Sequence, residues 1–249
     1  MKLYTDVMSN RIDHEKKHGK KISQNAEKVW GWSSPAGQAR VKRKIRYYLK
    51  YGKINANDSI LEIGAGTGLF TSGIYNATKA KIVATDISED LLIVARERNP
   101  HIEFKEADAM NLEFENEKFD VVMGNSILHH LDMEKSIKEA FRVLKKGGRI
   151  IFQEPNMLNP QIFIQKNVPF IKKWMGDSPD ETAIVRWKMN KLLSDVGFIE
   201  TKVFPFDFLH PITPKFLIPI VEKVGIFLEK VPFIKEIAGS VVISGRKPT

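Results

Sequence analysis

The chain contains no cysteine in its 249 residues. That excludes a disulfide framework, a thiolate zinc site and any reaction routed through a cysteine adduct. No stretch approaches 18 uninterrupted apolar residues, so no transmembrane helix is expected. The opening Met1-Lys-Leu-Tyr-Thr-Asp-Val-Met-Ser-Asn10 lacks the apolar centre of a signal peptide. Both absences lead us to expect a cytoplasmic protein. There is no internal repeat or low-complexity tract, which removes solenoids and disordered linkers. Proline is scarce at first: two of the 12 precede Glu154 and ten follow it. A regular first part and an interrupted second part are the consequence. The length suits one core with embellishments.

The most informative stretch is Ser59-Ile-Leu-Glu-Ile-Gly-Ala-Gly-Thr-Gly-Leu-Phe-Thr71, an apolar strand running into a glycine turn that opens a helix. Gly64, Gly66 and Gly68 let the backbone turn tightly and admit a ligand where a Cβ would clash. A dinucleotide fingerprint needs Gly-x-Gly-x-x-Gly, but Leu69 or Thr71 stands where the third glycine belongs. A phosphate-cradling P-loop needs Gly-Lys-Ser/Thr, and Gly68 is followed by Leu69 and Phe70. Lys81-Ile-Val-Ala-Thr-Asp86 reads as a second buried strand ending in a carboxylate, 18 residues past Gly68, room for a turn and one crossover helix. Ile102-Glu-Phe-Lys-Glu-Ala-Asp108-Ala109 reads as a third. Asp86 and Ser88 also precede an apolar-periodic segment, so a helix N-cap is an alternative role for Asp86.

Glu62-x-Gly-x-Gly-x-Gly68 resembles motif I of the class I S-adenosylmethionine-dependent methyltransferases. The resemblance implies S-adenosylmethionine as cofactor, held by Glu62, Gly64, Ala65, Gly66 and Gly68. It implies Asp86 on the ribose, with Ile87 along the adenine. A carboxylate accepts two hydrogen bonds side by side and so fits a vicinal diol. Asp108 resembles motif II, placing it on the adenine amino group with Ala109 beside it, and the loop after the fourth strand brings Asn125 to the cofactor. Lys145-Lys-Gly-Gly148 resembles the turn before the family's fifth strand, and Leu128-His-His-Leu131 a pattern of the type 11 (ubiquinone/menaquinone-biosynthesis-like) members. The expected fold is α/β, a doubly wound, seven-stranded, mainly parallel sheet in the order 3-2-1-4-5-7-6, with helices on both faces and helical lid insertions.

Periodicity and capping place a leading helix over 35–52, strands over 59–63, 81–85, 102–106, 119–124 and 148–153, and helices over 68–77, 88–98 and 133–145. A further helix is expected from Ser178 through Leu193, then strands 198–204 and 240–244. The division expected is a basic arm with leading helix, 1–53, and a catalytic domain, 54–249, with insertions at about 155–180 and 205–239. Residues 1–53 hold 14 Lys/Arg against 4 Asp/Glu, while the rest is nearly neutral. Such an arm suits an anionic partner or a solvated helix face, and the cluster from His14 to Lys21 suggests a flexible or docking segment. Trp30-Gly-Trp32 and Arg40 would close over the cofactor, with Arg40 meeting its carboxylate, or would staple the arm to the fold.

His129 and His130 follow the fourth strand, where this architecture places its ligands. Either is a candidate general base for an acceptor that keeps its proton; the alternative is that they pack the loop. No metal is expected, since adjacent side chains diverge. Gly124-Asn-Ser-Ile127 stands where enzymes methylating base amino groups carry Asn/Asp-Pro-Pro-Tyr/Phe, so nucleic acid is not the expected acceptor. The apolar stretch 214–234, with Phe163, Phe170 and Trp174, favours a small or amphipathic, lipid-like acceptor and peripheral membrane contact; a packed core or dimer surface fits it too. Two other classes remain: a cofactor-retaining nucleic-acid-binding or RNA-modifying protein, and a dinucleotide-dependent reductase.

Overall fold

The computed structural model describes residues 2–175 and 181–249, and the side chains of these apart from residues 2–10, 174 and 175. Apolar runs without polar alternation become strands buried on both faces. They are β1 (Ser59–Ile63), β2 (Lys81–Asp86), β3 (Glu103–Glu106), β4 (Phe119–Asn125), β5 (Leu144–Pro155), β6 (Ile199–Phe206) and β7 (Ser240–Arg246). One sheet joins them in the order β3-β2-β1-β4-β5-β7-β6. Strands β1 to β5 are parallel, whereas β7 runs antiparallel to both β5 and β6. This is the expected fold.

The helices are α1 (Lys2–Ile22), α2 (Ala26–Val29), α3 (Pro35–Tyr51), α4 (Leu69–Thr78), α5 (Glu89–Arg98), α6 (Met133–Val143), α7 (Pro160–Asn167), α8 (Pro169–Met175), α9 (Arg186–Val196) and α10 (Ile218–Leu228). The period-two alternation of the strands divides the core. Ile60, Ile82, Val121, Met123 and Ile151 pack under α3, α4 and α5. Leu61, Ile63, Val122, Ile150 and Phe152 pack under α6 and α9. Tyr48 of α3 is fully buried and donates its hydroxyl to the Gly124 carbonyl at 2.8 Å, tying that helix to the ligand end of β4.

Three expectations need correction. The basic arm is helical: α1 lies against α5, and Gly19 packs so tightly at the start of α5 that a Cβ there would stand 2.2 Å from the Ser88 hydroxyl. The helix expected from Ser178 begins at Arg186; residues 178–180 lie outside the described residues. Glu181 to Val185 is instead pinned by the Thr182 and Ile184 N–H groups donating to the His129 and Pro155 carbonyls. The helix expected over 133–145 stops at Val143, because Leu144 already pairs with Phe119 and opens β5, while Gly147 turns at φ +75°.

Candidate active site

The carboxyl ends of the parallel strands surround a cavity of about 440 Å³. Ile63 ends β1, and the turn that follows has φ +70° at Gly64 and +54° at Gly66. A Cβ at Gly64 would sit 2.6 Å from the Ile127 side chain, and one at Gly66 would meet the Trp30 ring at 3.0 Å. Glycine is therefore required twice over, by backbone conformation and by close approach. Asp86, at the end of β2, fixes this turn from the side. Its Oδ2 accepts from the Gly66 N–H at 2.8 Å and its Oδ1 from the Ser88 N–H at 2.9 Å. Ser88, not Asp86, stands at the N-cap of α5. Burial raises the Asp86 pKa, against the pull of those two amides. Asp108 accepts from the Met110 N–H at 2.9 Å. The Asn125 Oδ1 is buried without a hydrogen-bond partner among the described residues.

Of the residues expected at the cofactor, Gly64, Ala65, Gly66, Asp86, Ile87, Asp108, Ala109, Asn125 and Trp32 line this cavity, as do His129 and His130. Glu62 does not; it is 1 % exposed beneath the turn, with Oε2 unpartnered among the described residues. Burial raises its pKa to about 7, opposed by the Thr71 hydroxyl and reinforced by the charge of Asp86. Gly68 also lies off the wall, as the N-cap of α4.

Sequence reasoning missed Glu154, which organises the loop after β4. Completely buried in β5, it accepts through Oε1 from the Ile127 and Leu128 N–H groups at 2.9 and 3.0 Å, and its Oε2 lies 2.8 Å from His129 Nδ1. A carboxylate only accepts, so Nδ1 carries the proton and Nε2 is left as an acceptor. Burial, with His130 beside it, lowers the His129 pKa although Glu154 opposes this. His129 is thus a neutral imidazole of fixed tautomer at physiological pH. The one available signal was position, an acid at the carboxyl end of a parallel strand.

His130 has the opposite bias. Burial would lower its pKa, but Glu15, Glu181 and Glu154 outweigh that and raise it. Its Nδ1 lies 3.3 Å from Glu15 and 3.4 Å from Glu181. Glu15 reaches it from α1, where Arg11 also donates to the His130 carbonyl at 2.7 Å. The adjacent rings do not diverge as expected: their centroids are 4.1 Å apart. With Glu181 they offer three potential metal-ligand atoms within 4.8 Å of one another, although Glu181 Oε2 is already paired with Lys166 at 2.5 Å.

A second cavity of about 340 Å³ adjoins the first, sharing Trp30, Trp32, Ser126, Pro155, Ile162 and Gln165 as walls. Arg40 lies here, outside the first cavity's lining. It pairs with Asp207 at 2.7 Å and stands 5.1 Å over the Trp32 ring.

The sheet order, the glycine turn on β1 and the acids ending β2 and following β3 define a class I S-adenosylmethionine-dependent methyltransferase. Residues 61–152 match the family described as "Methyltransferase domain", and over that stretch the chain resembles the type 11 methyltransferases. It is 28% identical over 179 residues to an uncharacterised methyltransferase-like protein of Schizosaccharomyces pombe, covering 72% of this chain and 68% of that one. It is 39% identical over 103 residues to a demethylmenaquinone methyltransferase of Clavibacter sepedonicus, covering 40% of this chain and 42% of its relative. The fold is shared with an S-adenosylmethionine-dependent methyltransferase of Thermotoga maritima, at a TM-score of 0.62 and 23% identity over 91% of this chain and 97% of that one.

Proposed function

We propose that this methyltransferase acts on an amphipathic, quinone- or lipid-like acceptor drawn from a membrane surface, with His129 as the general base. The observation that carries the reading is the buried Glu154–His129 pair at the wall of a cavity that continues into a second chamber. A general base is superfluous for an acceptor with a free lone pair and is needed for a hydroxyl or an acidic carbon. His129 Nε2 accepts that proton, while Glu154 Oε2 fixes the ring and stabilises the resulting imidazolium. The name of the demethylmenaquinone relative agrees with an acceptor of this kind.

The residues present fit the cofactor: a glycine turn that any Cβ would fill, and an orphaned Asn125 oxygen in need of a donor. Asp86 would hold the ribose, Asp108 and Ile87 the adenine, and Asn125 the methionine end. When bound, the cofactor supplies an electrophilic methyl on a cationic sulfur. Beyond the His129 base the protein supplies orientation, worth about 7–11 kcal/mol in favourable cases. Trp30 and α1 close over the ligand and exclude water.

Membrane delivery draws support from the two insertions beside the second cavity. Phe170 is 78 % exposed, Phe216 76 % and Phe233 88 %. Lys215, Lys223 and Lys230 are exposed around them, a composition suited to an anionic bilayer surface. The deciding experiment is transfer of a labelled methyl group to a lipid and metabolite extract. Label in a hydroxylated or quinone-like lipid supports the reading, and label confined to protein or RNA overturns it.

A further inference from the structure

Lys44 is a charged residue that the methyl-transfer chemistry leaves unexplained. It lies in α3 and is 2 % exposed, yet its side chain lines the second cavity. Among the described residues no carboxylate or hydrogen-bond acceptor pairs with its ammonium, which stands 5.1 Å from the centre of the Phe206 ring and 5.9 Å from that of Trp32. The neighbouring Arg40 is balanced by Asp207 at 2.7 Å, so among the described residues the Lys44 amine is left in the chamber without a paired carboxylate. Burying a charge without a partner is costly, and such a residue is best explained by a counter-charge that arrives with a ligand.

We propose that the second cavity is an acceptor subsite in which Lys44 binds a carboxylate or phosphate of the methyl acceptor. The inference rests on the methyl-transfer reading and narrows its substrate class to acidic amphiphiles. The anion belongs to the acceptor because this cavity contains none of the glycine-turn residues and neither Asp86 nor Asp108. It is walled instead by both insertions, through Gln161 and Gln165 on one side and Phe208 and Pro211 on the other. Shared walls at Trp32 and Ser126 let one ligand span both chambers. Its anion on Lys44 would leave the reacting end on the His129 side. Burial, with Arg40 alongside, drives Lys44 down to about 7 against the attraction of Asp207 and Glu154. An incoming anion restores the charge, so binding takes up a proton near neutrality.

The test is calorimetric titration of the protein, saturated with S-adenosylhomocysteine, with decyl phosphate, decanoate and decanol below their aggregation limits. At least one anion should bind about tenfold or more tighter than decanol, and the two anion arms show which headgroup is preferred. Lys44→Met should abolish the preference and Lys44→Arg retain it, both with unchanged affinity for S-adenosylhomocysteine. Equal binding of decanol and both anions by the wild type overturns the proposal without reference to any variant. So does a Lys44→Met protein that loses S-adenosylhomocysteine but keeps 5′-methylthioadenosine, because the ammonium then serves the cofactor's own carboxylate. Binding of S-adenosylhomocysteine to the wild type is measured first and separately. Its failure counts against the methyl-transfer reading, and the anion comparison on the free protein still decides this one.

Discussion

Three side chains carry opposing burdens of burial and charge, and each yields a measurable consequence. His129 acts as a base only when neutral. Because its pKa lies below the ordinary 6.5, kcat should hold constant at neutral pH and fall on acidification with a midpoint under 6.5. In Glu154→Gln the amide oxygen keeps the Ile127 and Leu128 N–H groups and its NH2 donor faces His129 Nδ1, reversing the tautomer, and kcat should drop by roughly 10²–10⁴, with S-adenosylhomocysteine affinity much less affected; an unchanged rate would dismiss the dyad. Asp86→Ala should weaken S-adenosylhomocysteine about 10- to 100-fold in calorimetry, since it removes the clamp on Gly66 together with the proposed ribose contact. Lys44 runs the other way for stability. Its folded pKa, about 7, lies below the ordinary 10.5, so its neutral form favours the fold. That contribution is complete above the unfolded pKa and is lost as pH falls toward about 7. Lys44→Met should therefore raise the melting temperature of the ligand-free protein, most clearly below pH 7, the usual exchange of stability against a functional charge.

Among the elements, α1 matters most, because it turns an open cleft into a roofed one. Arg11 and Glu15 reach His130 from it, and Ile12, His18 and Ile22 line the cavity. In an ordinary helix interior Gly→Ala gains about 0.5–1 kcal/mol. At Gly19 the added carbon would stand 2.6 Å from Ser88 Cβ as well as 2.2 Å from its hydroxyl, and such overpacking costs about 1–3 kcal/mol. Gly19→Ala should thus speed amide exchange along α1 and weaken S-adenosylhomocysteine binding. A tighter complex would show that α1 does not gate the site. The two insertions behave differently, since their exposed faces add little to the core.

For the molecule as a whole, no described helix is long and apolar enough to cross a bilayer. With a net charge of +9 and aromatic side chains exposed on both insertions, the protein should co-sediment with anionic vesicles. Binding should weaken on neutral vesicles and at high salt. Replacing Phe216 and Phe233 by Ser should reduce it with little change in melting temperature, as both are mostly exposed. Equal pelleting by wild type and double variant would remove the membrane surface from the proposal.

The sequence determined what local chain physics determines. Buried strands declare themselves by apolar runs, the β1 turn by glycines at positions with positive φ, and the ends of β2 and β3 by acids at a fixed distance from it. Resemblance supplied the order of the last two strands, which no periodicity encodes. The sequence also placed His129 and His130 at the mouth of β4, since that loop is short. What tertiary structure decided are the pairings across long stretches of chain: Glu154 under His129, Glu15 and Glu181 beside His130, Arg40 on Asp207, and Lys44 with no paired carboxylate among the described residues. A charged residue in a helix pattern reads as solvent-facing until the packing around it is known. Lys44 and Glu154 could be assigned only once the sheet and insertions had enclosed them, because burial and the partners that answer it belong to the folded chain and not to any segment of it.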